Sequence, residues 1–329
     1  MSPEEPYGRL ASGTVGIDVG GTWLRIRTDG GTERRPAPSL LNHPGRSTAE
    51  LTDMLLDALL PTAPPGGRVV VSLGAAMNDA TSRVYGSAPL WGDVRLRRDL
   101  VGELRRRRPD ADWYVHNDVT CALADFAASV AAEGHRHVGY LTVSSGIALK
   151  VADLPARRIV VDGNGLQGEV GHLDTSVPAG FPQLLDLPCE CGGTGHVASL
   201  ASGPAVPRVA HALGMSAFEP TAFAARLADR DPEAAVLLRV ITYPVAQLVR
   251  WLWTTQPLLD LVGIGGGVAE GLTGHFERAL HEHLEGRTNY SDGAGPRDRG
   301  AIRVLRPGAV DPIRGAQRMA DRFLDVVTA

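Results

Sequence analysis

Apolar and polar positions alternate over residues 14–28, TVGIDVGGTWLRIRT, with a break at Gly20-Gly21. A period of two predicts strands and the glycine break a tight turn, so the first element is a hairpin. Helical periodicity follows over Thr48–Leu60. The valine-rich run Arg68–Leu73, ending at Gly74, has the continuous apolar character of a strand buried on both faces. Strand and helix then alternate: a helix over Leu96–Arg106, a short strand at Trp113–His116, and an alanine-rich helix over Val119–Ala132 with Asn117 and Asp118 as cap candidates. Asp118 thereby falls at the C-terminal end of a strand.

Strand patterns return at Val138–Val151, as two strands around Ser144-Ser145-Gly146, and at Arg158–Val161 before the turn Asp162-Gly163-Asn164-Gly165. Pro178–Gly195 is a loop rich in Pro, Gly and Cys, long enough to need a staple. The chain is then mostly helical, with its longest run at Pro232–Trp253. A buried strand, Leu259–Ile264, ends in Gly265-Gly266-Gly267, followed by a helix near Ala269–Leu284, a strand at Ile302–Leu305 and a helix at Ile313–Val327. Two runs of mixed strands with crossover helices, each opened by a hairpin with a small-residue turn, predict a duplicated α/β architecture.

Composition narrows the class. A chain of 329 residues suggests two domains, at roughly 150 residues each. No stretch approaches the ~18 apolar residues of a membrane span, so a soluble protein with no membrane partner is expected. The opening MSPEEPYGRL lacks the basic start and apolar run of an export signal, which points to the cytoplasm. Net charge is -4, and the run Arg105–Arg108 is followed by Pro109-Asp110 without interleaved aromatics, which argues against a nucleic-acid partner. Lys150 is the single lysine, and two of the three cysteines, Cys189 and Cys191, lie one residue apart.

The segment Asp18-Val19-Gly20-Gly21-Thr22 joins several phosphate-binding devices. Paired glycines let backbone N–H groups approach a phosphate, Thr22 supplies a hydroxyl, and Asp18 can reach Mg²⁺ through water. An ordinary Gly-Gly hairpin turn would share the pattern. On this segment the chain resembles the phosphate hairpin of the actin-like ATPase fold, in particular the ROK family of repressors, open reading frames and sugar kinases. Further segments match in order over about residues 14–325. Gly74-Ala75-Ala76 resembles Gly-x-Pro-Gly, and Ala88-Pro89-Leu90-Trp91-Gly92 resembles the sugar-side loop. His116-Asn117-Asp118 resembles Glu-Asn-Asp. Gly163-Asn164-Gly165-Leu166-Gln167-Gly168-Glu169-Val170-Gly171-His172 is similar, nearly position by position, to Gly-x-Asn-Gly-x-x-Gly-Glu-x-Gly-His. Cys189-Glu190-Cys191-Gly192-Gly193-Thr194-Gly195-His196 resembles Cys-x-Cys-Gly-x-x-Gly-Cys.

The resemblance implies two actin-like, ribonuclease H-like α/β domains around a central cleft: residues 1–118, residues 119–312 with a zinc-stapled loop, and a C-terminal helix in 313–329 packing back on the first. It implies ATP and Mg²⁺ held by Asp18, Gly20, Gly21, Thr22, Ser145, Gly146 and the loop Gly265, Gly266, Gly267. Asp118 becomes the base that accepts the proton of a primary hydroxyl, while Asn117, Asn164, Glu169 and His172 hold a hexose or hexose-like cyclitol. His172, Cys189, Cys191 and His196 form a structural Zn²⁺ site in which His196 takes the place of a cysteine. A homodimer is expected by family analogy.

Two departures bear on the substrate. Glucose and N-acetylhexosamine kinases of the family carry a Glu two residues after the third zinc ligand, where this chain has Ala198. Glucose would lose a charge-assisted hydrogen bond of ~1.5–3 kcal/mol, which favours an aminosugar or a C7 cyclitol of antibiotic biosynthesis. The family's Gly-Thr-Gly-Ile-Gly-Gly-Gly reads Ser144-Ser145-Gly146-Ile147-Ala148-Leu149-Lys150 here, a bulkier hairpin in which Lys150 either contacts phosphate or is a solvated strand position. The activity implied is ATP-dependent phosphorylation of a sugar or cyclitol. The alternative is a non-catalytic sugar-binding or regulatory protein. A DNA-binding repressor is disfavoured because few residues precede the first strand.

Overall fold

The computed structural model describes residues 10–92, 94–96, 98–215, 218–256, 258–285 and 301–329. Most of the acidic opening segment and Arg97, within the expected helix Leu96–Arg106, lie outside the described residues. The strands are β1 (Thr14–Val19), β2 (Trp23–Thr28), β3 (Gly31–Pro36), β4 (Arg68–Leu73), β5 (Ala76–Asn78), β6 (Arg83–Gly86), β7 (Asp112–Asn117), β8 (His137–Val143), β9 (Ile147–Asp153), β10 (Arg158–Val161), β11 (Leu261–Gly265), β12 (Ile302–Val304) and β13 (Asp325–Thr328). Contacts gather into two compact units: Met1–Gly134 with Lys150–Gln167 and Gly308–Ala329, and His135–Leu149 with Gly168–Pro307.

In the first unit a five-stranded sheet runs β3-β2-β1-β4-β7. β1, β4 and β7 are parallel, with Asp18 level with Ser72 and Ser72 with His116, then Val19 level with Leu73 and Leu73 with Asn117. Three strand ends therefore stop together, the arrangement that makes a ligand crevice in open α/β sheets. β4 is apolar at consecutive positions because both faces are covered. Val69 and Val71 pack with Leu51, Leu55, Leu56 and Leu59 of helix Thr48–Leu59, and Val70 packs with Cys121, Ala316 and Ala320 of helices Asp118–Val130 and Pro312–Ala320. Each such valine stabilises by about 1.5–3 kcal/mol.

Helix Thr48–Leu59 starts at a capping box: the Ser47 hydroxyl accepts Glu50 N–H, and the Glu50 carboxylate accepts Ser47 N–H at 2.8 Å. The bond from the Ser47 backbone, with Arg46 beside it, holds the Glu50 carboxyl down at about 2. Helix Pro312–Ala320 is clamped by buried charge. Asp125 accepts Arg314 through both oxygens at 2.5 Å and the Asp311 N–H at 2.9 Å, while Asp311 takes Arg27 at 2.6 Å.

The expected helix Ile313–Val327 ends at Ala320. Arg322 has a φ of 57°, the chain reverses, and the β-branched pair Val326-Val327 enters β13, which pairs parallel with β10. β3 escaped the sequence pattern because it is a polar edge strand with neither face buried. The β5–β6 pair and the short helix Ala88–Trp91 were missed as well.

In the second unit β12, β11 and β8 are parallel neighbours, and β9 returns from β8 through Ser144-Ser145-Gly146. The helical stretch expected near Ala269–Leu284 is two helices, Gly267–Gly271 and Thr273–Glu285. Helix Pro232–Thr255, 24 residues, meets the length and apolarity test for a membrane span, against the expectation from sequence. In its most apolar window 61% of the helix is buried inside the protein, as in a core helix.

Candidate active site and metal centre

Of the residues singled out in the sequence, Asp18, Gly20, Gly21, Thr22, Asn117, Asp118 and Asn164 belong to the first unit. Ser145, Gly146, Gly265–Gly267, Glu169, His172, Cys189, Cys191 and His196 belong to the second.

At the end of β1, Asp18 accepts Ser72 Oγ at 2.9 Å through Oδ1 and pairs with Arg25 at 2.5 Å through Oδ2. The hairpin turn that follows is closed by Gly20 N–H donating to Trp23 O at 3.0 Å, and Thr22 is exposed. A Cβ on Gly21 would stand 2.5 Å from Pro89 Cβ, so the short helix Ala88–Trp91 packs where a side chain would be. Two strands away, β7 ends at Asn117, the N-cap of helix Asp118–Val130. Asn117 Oδ1 accepts the N–H groups of Val119 (3.0 Å) and Thr120 (3.2 Å), and its Nδ2 donates to Ala75 O (2.9 Å) and to Asp118 Oδ1 (3.1 Å). Asp118 Oδ1 also accepts Val119 N–H at 3.0 Å. Asp118 Oδ2 lies on the side of Gly74: a Cβ there would sit 3.6 Å from Oδ2, 3.7 Å from Gly20 Cα and 3.0 Å from Val19 O. Carboxylate and glycine hairpin thus flank a position that only glycine fills without crowding.

Sequence patterns did not mark the support beneath this junction. Asp79, with a side chain 1% exposed, accepts Asn117 N–H at 2.7 Å and Thr120 Oγ1 at 2.7 Å, with His116 Nδ1 at 3.5 Å. Burial pushes its carboxyl up, but His116, Asn117 and Thr120 outweigh burial and hold it below the usual carboxylate range. Neighbouring Asn78 donates Nδ2 to Gly163 O at 3.1 Å. In the same turn Gly165 has a φ of 70°, and a Cβ on it would meet Asn78 at 2.7–2.9 Å. Asn164 is exposed at the turn's tip. Lys150 takes neither place expected of it. It is buried, and its ammonium donates to the carbonyls of Gly165 and Gln167, both at 3.2 Å.

In the second unit the hairpin tip Ser145-Gly146 is exposed and closed by Ser144 N–H donating to Gly146 O at 2.9 Å. The glycine loop after β11 lies against it. Gly266 has a φ of 94°, and a Cβ there would meet Thr142 Oγ1 and Val143 O, both at 2.7 Å; Gly266 N–H donates to Glu270 Oε1 at 2.9 Å. Gly203 N–H donates to Ser144 O at 2.7 Å, and the neighbouring Ser202 hydroxyl is buried with no hydrogen-bond partner among the described residues.

The four metal-ligand candidates converge. One donor atom from each of His172, Cys189, Cys191 and His196 lies within 4.8 Å of the others, with Cys189 Sγ to His172 Nδ1 at 3.5 Å and Cys191 Sγ to His196 Nδ1 at 3.3 Å. A tetrahedral ion with bonds of about 2.0–2.3 Å needs ligand separations of about 3.3–3.8 Å, which the two sulfur–nitrogen distances match. A Cβ on Gly193 would stand 2.6 Å from the His196 ring, so a glycine is needed beneath that ligand. Burial pushes the Cys189 thiol up, and burial with His196 nearby pushes His172 down; a divalent cation is what would draw the Cys189 thiol to thiolate. Ala198 follows in helix Val197–Ala201 and is buried.

The parallel strand ends, glycine hairpin and strand-end carboxylate are those of an actin-like α/β fold. Solved structures agree: a ROK glucokinase from Streptomyces griseus in complex with glucose and AMPPNP (TM-score 0.68, 19% identity, 93% of this chain and 98% of that one) and a ROK hexokinase from Thermus thermophilus (TM-score 0.62, 22% identity, 93% and 96%). The chain belongs to the ROK family, which it matches over residues 14–292. It is 41% identical over 326 residues to a 2-epi-5-epi-valiolone 7-kinase from Actinoplanes sp., covering 91% of this chain and 90% of the relative. It is 31% identical over 289 residues to a C(7)-cyclitol 7-kinase from Streptomyces hygroscopicus subsp. jinggangensis, covering 77% and 78%. The chain is an ATP-dependent kinase with an alcohol acceptor.

Proposed function

We propose that this kinase transfers the γ-phosphoryl group of ATP to a hydroxyl of a C7 cyclitol, with Asp118 as the base. The observation that carries the reading is the 41% identity, across nine-tenths of both chains, to a 2-epi-5-epi-valiolone 7-kinase. Ala198 supports it, since an apolar residue stands where a glucose-type acceptor would look for a carboxylate.

Asn117 and the Val119 N–H hold Asp118 Oδ1, which turns Oδ2 toward the Gly74 side, where it receives the proton of the acceptor hydroxyl as the phosphoryl arrives. Asn164, Glu169 and His172 orient the acceptor, and the exposed Ser145-Gly146 tip and the Gly265–Gly267 loop take the nucleotide. Mg²⁺ bound with ATP supplies neutralisation of phosphate charge. Asp18 suits its water shell through Oδ1, which keeps a lone pair beyond the bond it accepts from Ser72, while Oδ2 is taken by Arg25 Nε and Nη2. The Cys189, Cys191, His172 and His196 set suits zinc by donor chemistry and spacing. With His172 Nδ1 turned to that centre, Nε2 remains for the acceptor. A homodimer completes the reading and is checked by sedimentation equilibrium.

The test is ADP release from ATP with four acceptors: glucose, kanosamine, an N-acylated hexosamine and 2-epi-5-epi-valiolone. Turnover with the cyclitol at the highest kcat/KM is expected. A preference for glucose overturns the assignment, and thermal stabilisation by acceptor without ADP release selects the non-catalytic alternative.

A further inference from the structure

Asn78 and Asp79 sit side by side and reach two different parts of the acceptor half-site. A buried carboxylate is tolerated only when its oxygens are hydrogen-bonded. Those of Asp79 are satisfied by Asn117 N–H and Thr120 Oγ1, groups that bracket Asp118 in the chain. Asp79 therefore fixes the strand-to-helix junction from beneath. Asn78 is 1% exposed. Its Oδ1 accepts the N–H groups of Ala80 (3.0 Å) and Thr81 (3.2 Å), which locks the side chain, and its Nδ2 holds Gly163 O. The turn bearing Asn164 rests on Asn78, at a glycine whose side chain would strike it.

We propose that Asn78 and Asp79 are positioning residues of this kinase, one holding the turn that presents Asn164 to the acceptor and the other aiming the Asp118 base. The proposal rests on the reading of Asp118 as base and Asn164 as acceptor ligand. Adjacent residues then give opposite kinetic signatures, which loss of folded protein would not.

A displacement of the base by about 1 Å costs on the order of 100-fold in rate. Asp79→Asn is accordingly expected to lower kcat by about 100-fold with acceptor KM within about threefold. Asn78→Asp keeps the acceptor for Ala80 and Thr81 but cannot donate to Gly163 O; it is expected to raise acceptor KM about tenfold with kcat within about threefold. The measurement is steady-state ADP release with the best acceptor of the four, at protein concentration corrected for folded fraction by circular dichroism. If Asp79→Asn does not fold, Thr120→Val, which removes the hydroxyl on Asp79 Oδ2, takes its place with a kcat loss of about tenfold expected. Equal losses in both variants with unchanged KM, or kcat within threefold in Asp79→Asn (in Thr120→Val, where that takes its place), overturn the proposal. With Asp118→Asn inactive in the same assay, that result leaves the base reading standing. Turnover retained by Asp118→Asn, or absent from the unaltered enzyme with every acceptor, overturns both.

Discussion

Replacing Asp118 by asparagine alters the proposed base and almost nothing around it. Asp118 Oδ1 accepts Val119 N–H at 3.0 Å and Asn117 Nδ2 at 3.1 Å, and an amide oxygen can accept both. The amide nitrogen then occupies the place of Oδ2, on the Gly74 side, where it can donate to a hydroxyl oxygen but cannot take its proton. Loss of a general base lowers rate by about 10²–10⁴, equivalent to about 2.7–5.5 kcal/mol in the barrier. Against this, removing a negative charge from the first turn of helix Asp118–Val130 costs only about 0.3–1 kcal/mol of stability. In a protein of this size that lowers Tm by about 1–4 °C. We therefore expect kcat for ADP release to fall by about 10³, while KM for ATP and the thermal shift produced by acceptor stay near their original values. The decisive comparison is between kcat and the acceptor-induced shift in one preparation. A kcat within about fivefold of the unaltered enzyme, or loss of acceptor binding in step with activity, refutes the assignment of proton transfer to this carboxylate.

Lys150→Met keeps the apolar stem but removes the ammonium bonds to Gly165 O and Gln167 O, each worth about 1.5–3 kcal/mol; acceptor KM should rise about tenfold and the urea midpoint fall, with KM for ATP unchanged. Treatment with 1,10-phenanthroline should release one zinc per chain, read by mass spectrometry, and lower Tm; metal-free protein purified without chelator would contradict the site. The Asp79 carboxyl is held below its ordinary 3.8 in the folded protein, so its contribution to stability is complete above that pH and disappears as pH falls through the folded value. The stability gap between the unaltered protein and Asp79→Asn in urea titrations should therefore be full at pH 7 and narrow below about pH 4; a gap that widens on acidification would reverse the sign argued here.

What was legible in the sequence was set by burial on a regular period. β4 and β10 appear at the expected residues, since the β4 valines face covered surfaces and β10 alternates buried Ile159 and Val161 with exposed Arg158 and Val160, and the Asn117 cap was readable because capping chemistry is local. The four metal ligands were readable only through resemblance. Two histidines and two cysteines spread over 25 residues become one centre through the Pro188–Thr194 bridge and the glycine under His196, and neither leaves a periodic trace. β3 and the last strand were lost for a related reason: none of their residues is buried, so hydrophobic period carries no information about their pairing. Asp79 was illegible because its meaning lies in three partners some 40 residues away, and an Asn-Asp pair in a turn looks like any other.

Lys150 shows how a departure from a family pattern is reassigned once its direction is known. Read along the hairpin, Ala148-Leu149-Lys150 replaces three glycines and crowds the nucleotide. In the strand, Leu149 and Lys150 are buried, while Ser145 and Gly146 remain exposed at the tip. Leu149 N–H donates to Gly168 O at 2.8 Å, and the Lys150 ammonium holds Gly165 O and Gln167 O, so both residues fasten the segment that begins with Asn164 and leads to Glu169. Glycines at these positions could not supply a side-chain donor to the Gly165 and Gln167 carbonyls. On the proposed acceptor role of Asn164 and Glu169, the substitution acts on the acceptor side, and a kinase with a lysine here is expected to differ from a glycine-bearing relative in acceptor KM rather than in KM for ATP.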